Sequence, residues 1–220
     1  MLWKQCADCG HVFTEGYFTD EACSQIFNKT HQHQLAGFDY ENQRYVASRI
    51  IEKVLSYIDQ GPWLDVGFGN ASLLFTAEEY GFTPIGLDLR ENNVARLKAL
   101  GIQAYCRDLL NVTLDKKCSV ISMADVLEHM PYPKQGLDAA HKLLADDGII
   151  FVSMPNMGSM LWKAFDQAKQ NPYWGEIEHY HNFSRERLYQ LLNETGFTPI
   201  RYGISERYRA CMEIIARKKN

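Results

Sequence analysis

From Trp63 onward, short apolar runs alternate with stretches of helical periodicity, and no other feature of the chain constrains its fold as much. The runs fall at 63–66, 83–88, 102–106, 120–123 and 149–154, with helix-like stretches between them reaching Tyr80, Leu100 and, around 137–144, Leu144. Runs this short and this apolar suit strands covered on both faces, and strands joined through helices lie parallel. A helix precedes the first run: Val46, Ile50, Val54 and Ile58 recur every four residues with Ala47, Ile51 and Leu55 beside them, predicting a helix to about Asp59 that Gly61 and Pro62 stop. The rhythm breaks after a helix expected over 184–195 and closed by Gly196. Phe197–Ile204 and the run 210–216 are separated only by 205–209, too few residues for a parallel crossover, so these two strands are antiparallel. The expected fold is α/β: a Rossmann-like, doubly wound, mainly parallel seven-stranded sheet with a terminal antiparallel hairpin.

A chain of 220 residues, 46% of them hydrophobic, can bury roughly 70% of its unfolded surface in one core without staples. Lys and Arg number 23 against 27 Asp and Glu, a net charge of −4. That excludes a protein gripping nucleic acid through a broad cationic face. The longest apolar stretch, 148–154, falls far short of the ~20 residues that span a bilayer, and the opening MLWKQCADCG lacks the apolar core of a signal peptide. The expectation is a cytoplasmic protein with no membrane or nucleic-acid partner.

The texture changes near Phe38. Residues 1–37 hold Cys6, Cys9, Cys23, His11, His31 and His33 with little periodicity, which suits a small N-terminal Cys/His module, and 38–220 forms the main domain. Of six cysteines only Cys6 and Cys9 stand at a chemically suggestive spacing, that of one knuckle of a zinc ribbon. Two readings stay open there: a zinc site, with Cys23 and His31 or His33 available to complete a tetrahedral set, and a reduced turn packed on the main domain.

The segment Leu64-Asp65-Val66-Gly67-Phe68-Gly69-Asn70-Ala71 lies where the first strand meets the next helix, the place where doubly wound sheets bind ligands. Gly67 and Gly69 allow positive φ and close approach of a ligand to the backbone. Asp88 ends the second strand, 19 residues after Gly69, where a carboxylate can accept both hydroxyls of a ribose. Asp108 follows the third strand, placed to accept from an adenine amino group. Asp65 before the glycines disfavours a pyrophosphate, because an acid suits a cationic amino group instead, and the third glycine of a dinucleotide fingerprint is missing.

These residues resemble the class I S-adenosylmethionine-dependent methyltransferases from about Asn42 to the C-terminus. LDVGFGNASLL is similar to the family's first motif, IGLD to its second and CRDLL to its adenine-side acid; Ala71 stands where the family often has Gly. The resemblance implies that Asp65, Gly67 and Gly69 hold the methionine part of S-adenosyl-L-methionine, Asp88 the ribose, and Asp108 with Leu89 and Leu109 the adenine, while Met123 lines the pocket. It implies a methyltransferase acting on a small-molecule acceptor, with oxygen the expected acceptor atom. Two alternatives stay open: a noncatalytic sensor of the cofactor or a nucleoside, and an NAD-dependent oxidoreductase.

On the reacting side, Met123 to Pro131 follows the fourth strand and brings His129, whose side chain titrates near neutrality, beside the expected methyl position. Its alternative role is structural. Asp125, Glu128 and His129 would share one face of a helix and offer ligands to a divalent cation, an arrangement similar to the Glu-x-x-Glu-His of ubiquinone-pathway O-methyltransferases and small-RNA 2′-O-methyltransferases, with Asp125 in place of the first Glu. Before the last long helix, His179 and His181 alternate and would share one face of an extended segment. The candidate catalytic residues are His129 and His181. Tyr132, Trp162, Phe165, Tyr173 and Trp174 can wall an acceptor pocket or pack in core and rim.

Overall fold

The structure is a computed structural model and describes residues 2–30 and 34–219. Seven strands form the main sheet: β3 (Gly61–Val66), β4 (Phe82–Asp88), β5 (Gln103–Cys106), β6 (Cys118–Ala124), β7 (Leu144–Pro155), β9 (Phe197–Ile204) and β10 (Cys211–Lys218). Their spatial order is β5-β4-β3-β6-β7-β10-β9. The first five are parallel, in a register pairing Leu64 with Ile85 and Ile121, whereas β10 runs antiparallel between β7 and β9. The doubly wound sheet with its terminal hairpin is as expected, and the order reverses between β3 and β6, which opens a crevice at the C-terminal ends of those strands.

Side-chain alternation explains why these strands are apolar on both faces. Trp63, Val120 and Phe151 point toward α2 (Tyr40–Leu55) and α3 (Ser72–Glu79), where they pack with Ile51, Val54 and Ala77. Leu64, Ile121 and Val152 point the opposite way, toward α5 (Pro133–Leu143) and α7 (Arg185–Glu194), against Leu137, Leu188 and Leu192. All six of these strand residues are fully buried, each contributing about 1.5–3 kcal/mol through removal from water. A third cluster places α4 (Glu91–Ala99) against the glycine turn, through Val94, Leu97, Phe68 and Ala71.

Several elements differ from the sequence expectation. The helix expected to reach Asp59 stops at Leu55, where Tyr57 N–H bonds back to Val54 O in a tighter turn. The N-terminal stretch expected to be irregular contains α1 (Asp20–Thr30), an 11-residue helix. A further helix, α6 (Met160–Gln167), is capped by Ser159, whose Oγ accepts from Trp162 N–H. The N-terminal hairpin of β1 (Trp3–Gln5) and β2 (Val12–Thr14) is completed by β8 (His181–Asn182), so residues on either side of the boundary expected at 37/38 share one small sheet. Among the described residues no helix is long and apolar enough to cross a membrane.

Candidate functional site

The turn after β3 is built from three residues in the left-handed region, Gly67 (φ 66°), Gly69 (φ 54°) and Ala71 (φ 61°). Gly67 N–H donates to Leu87 O at 2.7 Å, tying the turn to the neighbouring strand, and a Cβ on Gly67 would lie 3.0 Å from Val126 Cγ2. Ala71, the position where the related motif often has Gly, adopts a conformation that favours glycine and is fully buried against Phe68 and Leu74.

The acids expected around a cofactor stand at or just beyond the ends of adjacent strands. Asp65, 4% exposed, accepts from Ser122 Oγ at 2.6 Å, and Ser122 Oγ in turn accepts from Trp63 Nε1 at 2.9 Å. Burial pushes its carboxyl up to about 7, opposed by the Ser122 hydrogen bond and the nearby Arg207 guanidinium. Asp88 is 6% exposed and fully engaged: Oδ1 accepts from Arg90 N and Nε at 2.9 and 3.0 Å, and Oδ2 from Arg90 Nη2 and Asn93 Nδ2 at 2.9 and 3.2 Å. Asp108 caps the short 3-10 turn Leu109–Asn111, Oδ1 accepting from Leu110 N at 2.7 Å. Leu89 presents an apolar side chain to solvent beside these acids, 62% exposed.

Two residues expected to line the pocket are buried in the core. Met123 has no exposed surface, because its parity in β6 sends it away from Ser122 toward α5, where it packs in the core beside Met130, the side chain for which Gly136 makes room. Leu109 is turned into the same core, leaving Leu110 as the exposed neighbour.

Beyond β6 the chain turns through Asp125 (φ 55°) into the 3-10 turn Leu127–His129. The α-helical face expected for Asp125, Glu128 and His129 is therefore absent. Asp125 instead accepts from Ser153 Oγ at 3.2 Å beside the Cys211 thiol, and burial lifts its carboxyl to about 6. Glu128 is 1% exposed, neither carboxylate oxygen has a partner, and burial with repulsion from Asp125 pushes its carboxyl well above the usual range. His129 Nδ1 lies 2.9 Å from Glu178 O. A carbonyl only accepts, so Nδ1 carries the proton and Nε2 the lone pair. His179 joins them: ligand atoms of Glu128, His129 and His179 all lie within 4.8 Å of one another. His179 Nδ1 is buried without a partner, and burial followed by the neighbouring His129 pushes its imidazole down to about 3.

His181, expected on the same face as His179, is elsewhere. The extended segment begins only at His181, and His179 sits in the turn before it, so the alternation argument does not join them. His181 Nδ1 lies 2.9 Å from His11 Nε2 and its Nε2 3.4 Å from Pro131 O, inside the small sheet; burial pushes its imidazole down. Of the expected aromatic wall, Tyr173 stacks on Trp162 at 5.1 Å between ring centroids and on His179 at 6.3 Å, and burial pushes its phenol up to about 12. Tyr132 instead hydrogen-bonds Tyr17 across the N-terminal segment.

Sequence reasoning did not single out Ser122, Ser153, Arg207 or Cys211 for this site. Each lies on a strand or turn whose pattern signals only burial, and none carries a local motif.

Cys6 and Cys9 flank a turn closed by Gly10 N–H to Cys6 O at 3.0 Å, and backbone amides of Cys9 and Asp8 pull the Cys6 thiol down. Among the described residues no third metal-ligating side chain joins them. Cys23 is engaged by Tyr180 Oη at 3.2 Å, and His31 and His33 lie outside the described residues. The described side chains thus do not complete a zinc site.

Comparison with known proteins defines the class and then the family. The solved structure of the 1,6-didemethyltoxoflavin-N1-methyltransferase of Burkholderia thailandensis, with 1,6-didemethyltoxoflavin and S-adenosylhomocysteine bound, superposes with a TM-score of 0.67 at 18% identity, covering 98% of this chain and 99% of that one. Magnesium protoporphyrin IX methyltransferase of Synechocystis PCC 6803, with S-adenosylhomocysteine bound, gives 0.64 at 17%, covering 94% and 90%. The fold is therefore that of the class I S-adenosylmethionine-dependent methyltransferases. Residues 31–202 match the family model described as a methyltransferase domain, and the chain belongs to that family. In sequence it is 32% identical over 107 residues to the ubiquinone biosynthesis O-methyltransferase of Salmonella paratyphi A and 35% over 107 residues to that of Idiomarina loihiensis. Each alignment covers 45% of this chain and 44% of the relative, so the chain spans less than half the length of the curated relatives it matches.

Proposed function

We propose that this chain transfers the methyl group of S-adenosyl-L-methionine to an oxygen of a small-molecule acceptor, with a divalent cation held at Glu128, His129 and His179. The observation that carries the reading is the buried Glu128 carboxylate, both oxygens without a partner, set within 4.8 Å of two imidazole ligand atoms. A buried, unpaired carboxylate is costly, and a cation at this point would satisfy it together with the orphaned His179 Nδ1. One carboxylate and two imidazoles suit a divalent metal with positions left open for an acceptor oxygen.

The adenosyl part of the cofactor is assigned to the crevice at the ends of β3, β4 and β5. Asp88 faces the ribose and Asp108 and Leu89 the adenine, while Asp65, Gly67 and Gly69 shape the methionyl end. Methyl transfer is an in-line displacement: an acceptor lone pair forms the new O–CH3 bond as the C–S bond breaks, its electrons returning to sulfur to leave S-adenosylhomocysteine. Most of the chain's task is alignment of these atoms. A divalent cation bound there supplies Lewis acidity that lowers the pKa of a coordinated hydroxyl. His129 is held by Glu178 O and contributes a ligand atom to the cluster, which suits it to ligation or to accepting the acceptor's proton.

The experiment is methyl transfer from labelled cofactor to a library of small hydroxylated acceptors, with and without chelator. Transfer that stops on chelation and returns with added magnesium or zinc supports the reading. Tight cofactor binding with no transfer to any acceptor would favour the sensor alternative.

A further inference from the structure

The link between β9 and β10, residues 205–210, is fastened by backbone and side-chain hydrogen bonds and by ion pairs. Ser205 N–H donates to Cys211 O at 2.9 Å, and the Ser205 hydroxyl accepts from Arg207 N and Tyr208 N at 3.1 and 3.3 Å. Glu206 N–H donates to Glu213 Oε1 at 3.0 Å. Lys53, on α2, reaches both Glu206 (3.0 Å) and Glu213 (2.7 Å), fastening the turn to the helix that borders the crevice. The residue this scaffold presents is Arg207.

Arg207 lines a cavity with Gln43, Asp65, Gly67, Ser153 and Ser205, between the glycine turn and α2. Asp65 and Asp125 both lie within its electrostatic reach. Its guanidinium stands over the Tyr208 ring, 5.1 Å from the centroid, and among the described residues it makes no ion pair or hydrogen bond. The cavity thus combines one guanidinium without a hydrogen-bonded anion, the Asp65 carboxylate and the Gly67 backbone. An α-amino acid zwitterion carries charges complementary to this pair, and the planar fork of Arg suits a carboxylate in two parallel hydrogen bonds.

We propose that Arg207 binds the α-carboxylate of the methionyl part of S-adenosylmethionine, the β9–β10 turn serving as a cofactor clamp. This rests on the cofactor reading above and adds a residue to it from the opposite end of the chain. Arg207 is a binding residue here; Lys53, Glu206 and Glu213 position it.

Isothermal titration at fixed ionic strength, with S-adenosylhomocysteine and its decarboxylated analogue, tests the clamp. The wild type should prefer the carboxylated ligand by about 10- to 100-fold, the range of a charge-assisted hydrogen bond. Arg207→Gln should lose that preference while holding the decarboxylated analogue within about twofold of wild type, and Arg207→Lys should keep part of it. An Arg207→Gln protein that binds S-adenosylhomocysteine as tightly as wild type, or loses affinity equally for both ligands, overturns the clamp and leaves the cofactor reading standing. A wild type that binds neither ligand overturns both. Unchanged thermal unfolding of the variants shows that the turn still folds.

Discussion

Arg90 holds the Asp88 carboxylate from two positions along the chain, through Nε on one oxygen (3.0 Å) and Nη2 on the other (2.9 Å). With Arg90 N–H and Asn93 Nδ2 added, all of the roughly four acceptor positions of that carboxylate are filled. Ribose hydroxyls must therefore displace donors to reach it. Asp88→Ala should weaken S-adenosylhomocysteine binding by about 1–3 kcal/mol, and unchanged affinity in titration would remove Asp88 from the ribose role. Arg90→Met removes the competitor, so binding should tighten by a few-fold; weaker binding would mean that the guanidinium itself holds the ligand.

The two histidines that sequence alternation paired should separate in assay. His179→Ala and Glu128→Gln should reduce turnover at saturating cofactor by at least about 10-fold and abolish its dependence on added divalent metal. His181→Ala should leave turnover near wild type and lower the melting temperature, since its partners are His11 and Pro131 O. Loss of turnover in His181→Ala at unchanged stability would return that residue to the reaction.

Asp65 makes a prediction about pH. Its carboxyl is raised to about 7 in the folded protein, from near ~4 in an unfolded chain, so between those values the folded state holds a proton that the unfolded state has lost. Stability must then fall as pH rises from about 4 to about 7. The charged groups facing Asp65 are Asp88, which adds to the shift, and Arg207, which opposes it; Ser122 also opposes it by hydrogen bonding. Asp65→Asn should be more stable than wild type at pH 8 and little different at pH 4. Chemical denaturation at the two pH values checks this, and equal differences at both would place the Asp65 titration elsewhere.

Lys53 faces Glu213, which is only 3% exposed. Breaking a buried pair by removing one partner strands the other charge, so Lys53→Met should destabilise the protein by about 3–5 kcal/mol. Replacing both, Lys53→Met with Glu213→Leu, should recover most of that loss. No recovery in urea unfolding would show that packing of the Lys53 stem, and not the stranded carboxylate, sets the cost.

How much was legible in the sequence follows the range of the interaction concerned. The glycine turn and the strand-end acids are local: Gly67 and Gly69 mark positive φ, Asp88 ends one run and Asp108 closely follows another, and the apolar pattern of those runs already locates the strands. The terminal hairpin was legible for the same reason, since five residues cannot make a parallel crossover. Crevice-side and core-side assignments near strand ends were not, because one residue of register decides them. Met123 and Ser122 are neighbours in sequence, yet only Ser122 faces Asp65.

The amino-acid sequence by itself determined the doubly wound sheet, its hairpin and the crevice at the strand ends, because periodicity and turn chemistry act over a few residues. Tertiary structure alone decided that His179 and not His181 meets Glu128 and His129, and that Arg207 enters the crevice from the far end of the chain. Those contacts join residues up to about 140 positions apart, and their geometry depends on how helices and turns pack over the sheet, which no local pattern encodes.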